Sequence, residues 1–118
     1  MRDIKESLWH SAEILDKIRD YTVHDLEVQS ALLLIQVMRR YPDSVTINDL
    51  SVWTKASEGS VQRNVRILSD GSHPRRGKKT HGLLTTERIE WDRRKLSVCL
   101  TAKGKHLMGE IGESLVSE

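Results

Sequence analysis

The chain has 118 residues, 37% of them apolar and 31% charged, with a formal net charge of +2 and a mean hydropathy of −0.48. That describes one soluble domain over residues 1–118 with a modest core, too short for two. No apolar run approaches the ~18 residues of a membrane span, and the opening Met1-Arg-Asp-Ile-Lys-Glu6 lacks the apolar core of a signal peptide. The single cysteine, Cys99, excludes an internal disulfide and a cysteine-rich zinc site, so the cytoplasm is the expected compartment.

Charge is unevenly distributed. Residues 1–30 carry a net −3 and residues 31–60 balance, whereas residues 61–105 hold twelve basic and four acidic side chains, a net +8. Such a block is the footprint of a polyanionic partner. Taken alone, it is better read as a solvated basic face.

In chain order, Ile4, Leu8, Ala12 or Leu15, and Ile18 recur at helical spacing and predict an amphipathic helix over about residues 2–19. A second helix, 25–40, carries Leu26, Leu33, Val37 and Tyr41 on one stripe, widened by Leu32, Leu34, Ile35 and Met38. A helix apolar on most sides is a central one, and Tyr41-Pro42-Asp43 ends it. Thr46-Ile-Asn-Asp49 has the form of a capping box opening a short helix, 46–54, with Trp53 expected in the core. Ser57 is a good N-cap for the next helix, 57–69, in which Val61, Val65 and Leu68 face inward. Two short helices joined by a tight turn, the second polar and cationic outside, form the helix-turn-helix pattern.

Residues 71–81 lose all periodicity and hold Arg75, Arg76, Lys78 and Lys79, which predicts a basic loop. Beyond it, residues 82–101 read as two strands around the turn Trp91-Asp-Arg-Arg94, with Leu96, Val98 and Leu100 alternating against Lys95, Ser97 and Cys99. Thr101 can cap a last helix, 102–116, striped by Leu107, Met108, Ile111 and Leu115 and weakened by its glycines. The expected fold is therefore mainly α with a small β-hairpin. It is a winged helix-turn-helix with flanking N- and C-terminal helices, the hairpin being the wing.

Asp92-Arg-Arg94-Lys-Leu-Ser-Val98-Cys-Leu100-Thr101-Ala-Lys-Gly104 resembles the wing-to-helix signature of the MarR-type transcription regulators, D-x-R-x-x-x-V-x-L-T-x-x-G, at every fixed position. Ser60-Val61-Gln-Arg63 with Leu68 resembles the family's recognition helix, and Thr46-Ile-Asn-Asp-Leu50 the helix before it; the likeness covers about residues 25–112. It implies a homodimer, joined through the first and last helices, that binds a pseudo-palindromic operator in double-stranded DNA and is by family habit a repressor. Two departures stand out. About eleven residues, the basic loop, separate Leu68 from Gly82-Leu83-Leu84, and the chain ends at Glu118, where the family has a further dimerisation helix. The second departure leans against a small-molecule effector.

The residues expected to meet DNA follow from that arrangement. Gln62 and Arg63 carry the groups that read adenine and guanine edges in the major groove. Asn64 and Arg66 are placed on neighbouring outer faces. Ser57 and Ser60 lie at the helix N-terminus, where free amides and the dipole favour a phosphate. On the wing, residues 88–95, Arg88, Arg93, Arg94 and Lys95 supply cations for the minor groove. Asp92 would otherwise be repelled by phosphates, and its expected role is to hold Arg94 in one orientation. Arg75, Arg76, Lys78 and Lys79 either track phosphates or form a merely solvated insertion.

Other signals are weaker. Gly71 to Thr80 fails as a phosphate loop, with the wrong glycine spacing and Lys79 where Ser or Thr belongs. The five histidines share no ligand spacing, so neither a metal nor a cofactor is expected. Cys99 reads as a structural thiol. Trp91 either packs under the hairpin or meets DNA. No nucleophile–base pair or paired acids suggest an enzyme. The alternative from another class is an adaptor module in a larger assembly, binding a protein or nucleic acid without sequence preference.

Overall fold

Three hydroxyl side chains fix where helices begin. Thr46 Oγ1 accepts the Asp49 amide at 3.0 Å while the Asp49 carboxylate accepts the Thr46 amide at 3.3 Å, a closed capping box. Ser57 Oγ accepts the Ser60 amide at 3.1 Å, and Thr101 Oγ1 accepts that of Gly104 at 3.1 Å. Each satisfies a donor that a first helical turn leaves without an intrahelical partner.

The structure is a computed structural model that describes residues 3–23, 25–69 and 81–116. Its elements run α1 (Ile4–Tyr21), α2 (Val28–Arg40), β1 (Val45–Thr46), α3 (Ile47–Thr54), α4 (Glu58–Leu68), β2 (Leu84–Ile89), β3 (Asp92–Leu100) and α5 (Ala102–Val116). This is a mainly helical, winged helix-turn-helix fold. Lys55, in the left-handed region at φ 58°, ends α3 and makes the turn into α4. β2 and β3 form the antiparallel wing, with Leu84 opposite Leu100 and Arg88 opposite Leu96. Sequence reasoning missed β1, which pairs with β3 through Val45↔Val98 and Thr46↔Ser97 and completes a sheet of order β1-β3-β2. Two residues are too few for an alternation to register.

The central position expected for α2 holds: Leu33, Leu34, Val37 and Met38 are all buried. Around them pack Leu50 of α3, Val61, Val65 and Leu68 of α4, Leu84, Val98 and Leu100 of the sheet, and Leu107 of α5. Trp53 is half-buried against this core, with the Arg40 guanidinium over its ring at 4.4 Å. The face expected inward on α1 is not the one that packs. Ile4, Leu8 and Leu15 are 75%, 64% and 50% exposed, whereas His10 and Ile18 are buried, with Ile14 and Tyr21 packed on the core. The helix carries two apolar stripes that share Ile18, and among the described residues only the stripe facing α5 finds cover. There Ser114 Oγ donates to the Glu13 carboxylate at 2.8 Å.

The basic loop of residues 71–81 lies outside the described residues except for His81, but both ends of the insertion are defined. The His81, Gly82 and Leu83 amides donate to the Ile67, Ser69 and Leu68 carbonyls at 3.0, 2.6 and 2.7 Å. The returning chain thus takes up carbonyls that the end of α4 leaves open. Gly82 makes this turn at φ 70°, a conformation a side chain disfavours. Gly104 answers a different demand: a Cβ there would collide with the Leu83 carbonyl oxygen and press the Leu100 side chain at 3.1 Å.

Candidate nucleic-acid interface

The candidate site is built from α4 and the wing. On α4, hydrophobic spacing buries Val61, Val65 and Leu68 and turns Gln62, Arg63 and Arg66 outward. Wing strands β2 and β3 stand beside this helix, and between them runs an open groove of about 960 Å³. Gln62 and Arg66 line it from α4, Arg88 and Lys95 from the wing, and the carboxylates of Asp49 and Glu58 from the two helix starts. Asp49 is engaged in its capping box. Glu58 lies in the first turn of α4, where the helix dipole favours negative charge. The cations Arg66, Arg88 and Lys95 are thus the groups on which an anionic strand would bear.

One expected contact residue is removed from this surface. Asn64 is 1% exposed, and its Oδ1 accepts a hydrogen bond from Ser30 Oγ of α2 at 3.2 Å. It falls three residues after Val61 and four before Leu68, on the same inner face, so spacing alone could have found it; its polar side chain hid that. Ser57 and Ser60 are at the N-terminus of α4 as expected, but the Ser57 hydroxyl donates to Ser60 Oγ at 3.2 Å while accepting the Ser60 amide. Its first duty is the cap. Asn48 and Thr86, exposed and lining the groove, were not singled out from the sequence.

On the wing, Arg88 and Lys95 are exposed and Asp92 is half-buried. The side chains of Arg93 and Arg94 lie outside what the structure describes, as do Arg75, Arg76, Lys78 and Lys79 of the basic loop. The backbone around the arginines is defined. Arg88 pairs with Leu96 and Ile89 with Asp92, so residues 93–95 bulge out of register with β2. Bulges of this kind re-aim side chains at the ends of hairpins. Trp91 does not pack under the hairpin; it stands in solvent at the turn. Cys99 is half-buried on β3 opposite Thr85. Where the basic loop returns, Lys103 Nζ donates to the His81 carbonyl at 3.0 Å. Partial burial, reinforced by the Lys103 charge, lowers the His81 imidazole pKa below its ordinary 6.5.

Among the described residues no group of three His, Cys, Asp or Glu side chains is placed to hold a metal ion. No described helix is long and apolar enough to cross a membrane.

No protein-family model and no curated protein matches the sequence. Solved structures do match in fold. The MepR–DNA complex of S. aureus superposes with a TM-score of 0.66 at 18% identity, over 94% of this chain and 78% of that one. A MarR transcriptional regulator from Methanosarcina mazei Go1 gives 0.59 at 25% identity, over 94% and 71%. AbsC, a MarR family transcriptional regulator from Streptomyces coelicolor, gives 0.62 at 17%, over 97% and 68%. The protein is a winged helix-turn-helix protein. Within that class its fold is of the MarR type, as the wing signature led us to expect.

Proposed function

We propose that the protein is a sequence-specific, dimeric DNA-binding transcription regulator, a repressor, that lays α4 in the major groove and the wing, residues 88–95, in the adjacent minor groove. The observation that carries this reading is the groove between α4 and the wing. Gln62 and Arg66 face Arg88 and Lys95 across it, on an architecture shared with a regulator solved on DNA. Gln62 and Arg63 are the candidates for reading base edges. Arg66, Arg88 and Lys95 bear on phosphates, and Arg93 and Arg94 reach the minor groove with Asp92 holding Arg94 in place. The loop cations Arg75, Arg76, Lys78 and Lys79 add phosphate contacts.

The homodimer is supported by the exposed stripe of α1 formed by Ile4, Leu8 and Leu15. Three large apolar side chains in line on one exposed helix face are unusual for a monomer surface. The partner helix in this reading is α5 of the second copy.

The test is selection from a random DNA pool at about 150 mM salt, a level at which purely electrostatic binding is already weak, with the mass of the winning complex measured alongside. A pseudo-palindromic winner with half-sites about one helical turn apart and two protomers bound is the expected result. On that duplex Arg94→Ala should weaken binding by roughly tenfold or more, as loss of a groove-inserted arginine does. A pool that never converges overturns the regulator and leaves an adaptor whose partner is to be sought on α1.

A further inference from the structure

Trp91 is 88% exposed, more than any other large apolar side chain among the described residues. It occupies the turn of the wing, after Ile89 and before Asp92, which face each other as the last pair of β2 and β3. A hairpin turn of this length is ordinarily built from Asn, Asp and Gly. An indole held in water there gives the fold no packing in return.

The position of the turn says what the ring can meet. The groove between α4 and the wing is lined by cations from both sides, so a DNA strand bound there would run between recognition helix and wing. The tip of the hairpin then passes that strand and arrives at the neighbouring groove. Glu90 and Asp92 flank Trp91, and carboxylates are repelled by phosphates and by the negative potential of a minor groove alike. The uncharged ring is therefore the group of this turn that can enter a groove, and the cationic sequence Arg93-Arg94-Lys95 that follows offsets the acids beside it. Inside a minor groove, a flat apolar side chain can slip between adjacent base pairs, unstack them and kink the duplex. The indole N–H is a donor, and the floor of an A·T-rich minor groove presents the acceptors adenine N3 and thymine O2.

We propose that Trp91 is a minor-groove wedge: it enters the groove at an A·T-rich, flexible step, bends the DNA, and so selects sequence by deformability at positions α4 does not touch. This inference rests on the DNA-binding reading above. Pyrimidine–purine steps, TA above all, unstack most readily and are the expected site of entry.

The experiment compares the full-length wild type with Trp91→Ala and Trp91→Phe on the duplex recovered from the random pool. It reads affinity, and bend by energy transfer between dyes on the two DNA ends. The wild type should bend the duplex within the range of roughly 20–90° seen for wedge insertion. Trp91→Ala should lose roughly tenfold or more in affinity together with most of the bend. Trp91→Phe, still a flat apolar ring, should stay within about threefold of wild type and keep the bend. All three proteins should melt at the same temperature, because the side chain packs against nothing that a fold would miss. An alanine variant that binds within about twofold of wild type overturns the wedge while leaving DNA binding intact. Lost affinity with an unchanged bend, or a wild-type complex that is straight, overturns it as well. A wild type that binds no duplex is a separate result, visible before any variant is made; the DNA reading then fails and the wedge with it.

Discussion

Ser30 of α2 and Asn64 of α4 are the two polar side chains that meet in the buried contact between the central helix and the candidate recognition helix, joined by a hydrogen bond of 3.2 Å. A lone apolar contact lets one helix slide or roll on another at small cost. A buried polar pair does not, because any other register leaves both groups unsatisfied. The pair therefore fixes the rotation of α4 about its axis, and with it the direction in which Gln62, Arg63 and Arg66 point. Asn64→Ala and Ser30→Ala should each lower stability by about 1–3 kcal/mol, the cost of an orphaned buried partner. The double variant should be less destabilised than the sum of the singles. Urea unfolding with an unchanged m-value is the readout. Strict additivity would mean that the two side chains do not act on each other.

A second prediction contrasts glycines within one helix. At Gly104 a Cβ would collide with the Leu83 carbonyl oxygen, a backbone atom that cannot swing aside, while at Gly109 and Gly112 a Cβ meets nothing within 4 Å. Gly104→Ala should cost roughly 2–3 kcal/mol, the scale of overpacking a tight contact. Gly109→Ala and Gly112→Ala should each stabilise α5 by about 0.5–1 kcal/mol through helix propensity. Thermal melts of the three variants would separate these effects.

What the sequence made legible was local chemistry. Thr46, Ser57 and Thr101 could be placed as caps because a hydroxyl before an apolar run has a defined job, and the alternation of Leu96, Val98 and Leu100 marked a wing strand. What stayed hidden depended on partners distant in the chain. Val45 and Thr46 form a strand only because Val98 and Ser97 lie opposite. The two apolar stripes of α1 are equivalent until α5 chooses between them. Asn64 was misplaced because its residue type was weighed above its spacing, and only Ser30, 34 positions away, gives its amide a reason to be inside. On α4 and the wing strands, Gln62, Arg63, Arg66, Arg88 and Lys95 are exposed, which a surface meeting DNA requires.

The rooting of the inserted segment separates fold from binding. Ile67, Leu68 and Ser69 are hydrogen-bonded to His81, Gly82 and Leu83, so the two ends of the inserted segment are tied directly to each other. Changing Arg75, Arg76, Lys78 and Lys79 together to Ser should leave the melting temperature unchanged. If all four neutralise phosphates in both protomers, the log–log salt slope of DNA binding should become shallower by about 7, at ~0.9 per phosphate. Titrations at several salt concentrations measure this directly. An unaltered slope would make the loop a solvated insertion.

Two titratable groups, His81 and Tyr21, each contribute a limb to how stability should vary with pH. At His81 burial and Lys103 lower the imidazole pKa below 6.5 in the fold, so its contribution is complete above that value. As pH falls through it, the unfolded chain takes up a proton that the folded chain resists, and stability declines. His81→Gln should flatten that acid limb. Tyr21 acts at the other end. Burial against the core, helped by a hydrogen bond to Glu110 and by its charge, pushes the phenol from 10.0 up to about 12. Below pH 10 both states hold the proton and nothing changes. Between 10 and 12 the unfolded chain releases it while the fold keeps it, so stability falls as pH rises. Tyr21→Phe should remove this alkaline slope. Urea midpoints measured from pH 5 to pH 11 for the wild type and both variants would test the two limbs independently, since the groups sit on different elements. A variant whose profile parallels wild type would show that the named side chain does not control its limb.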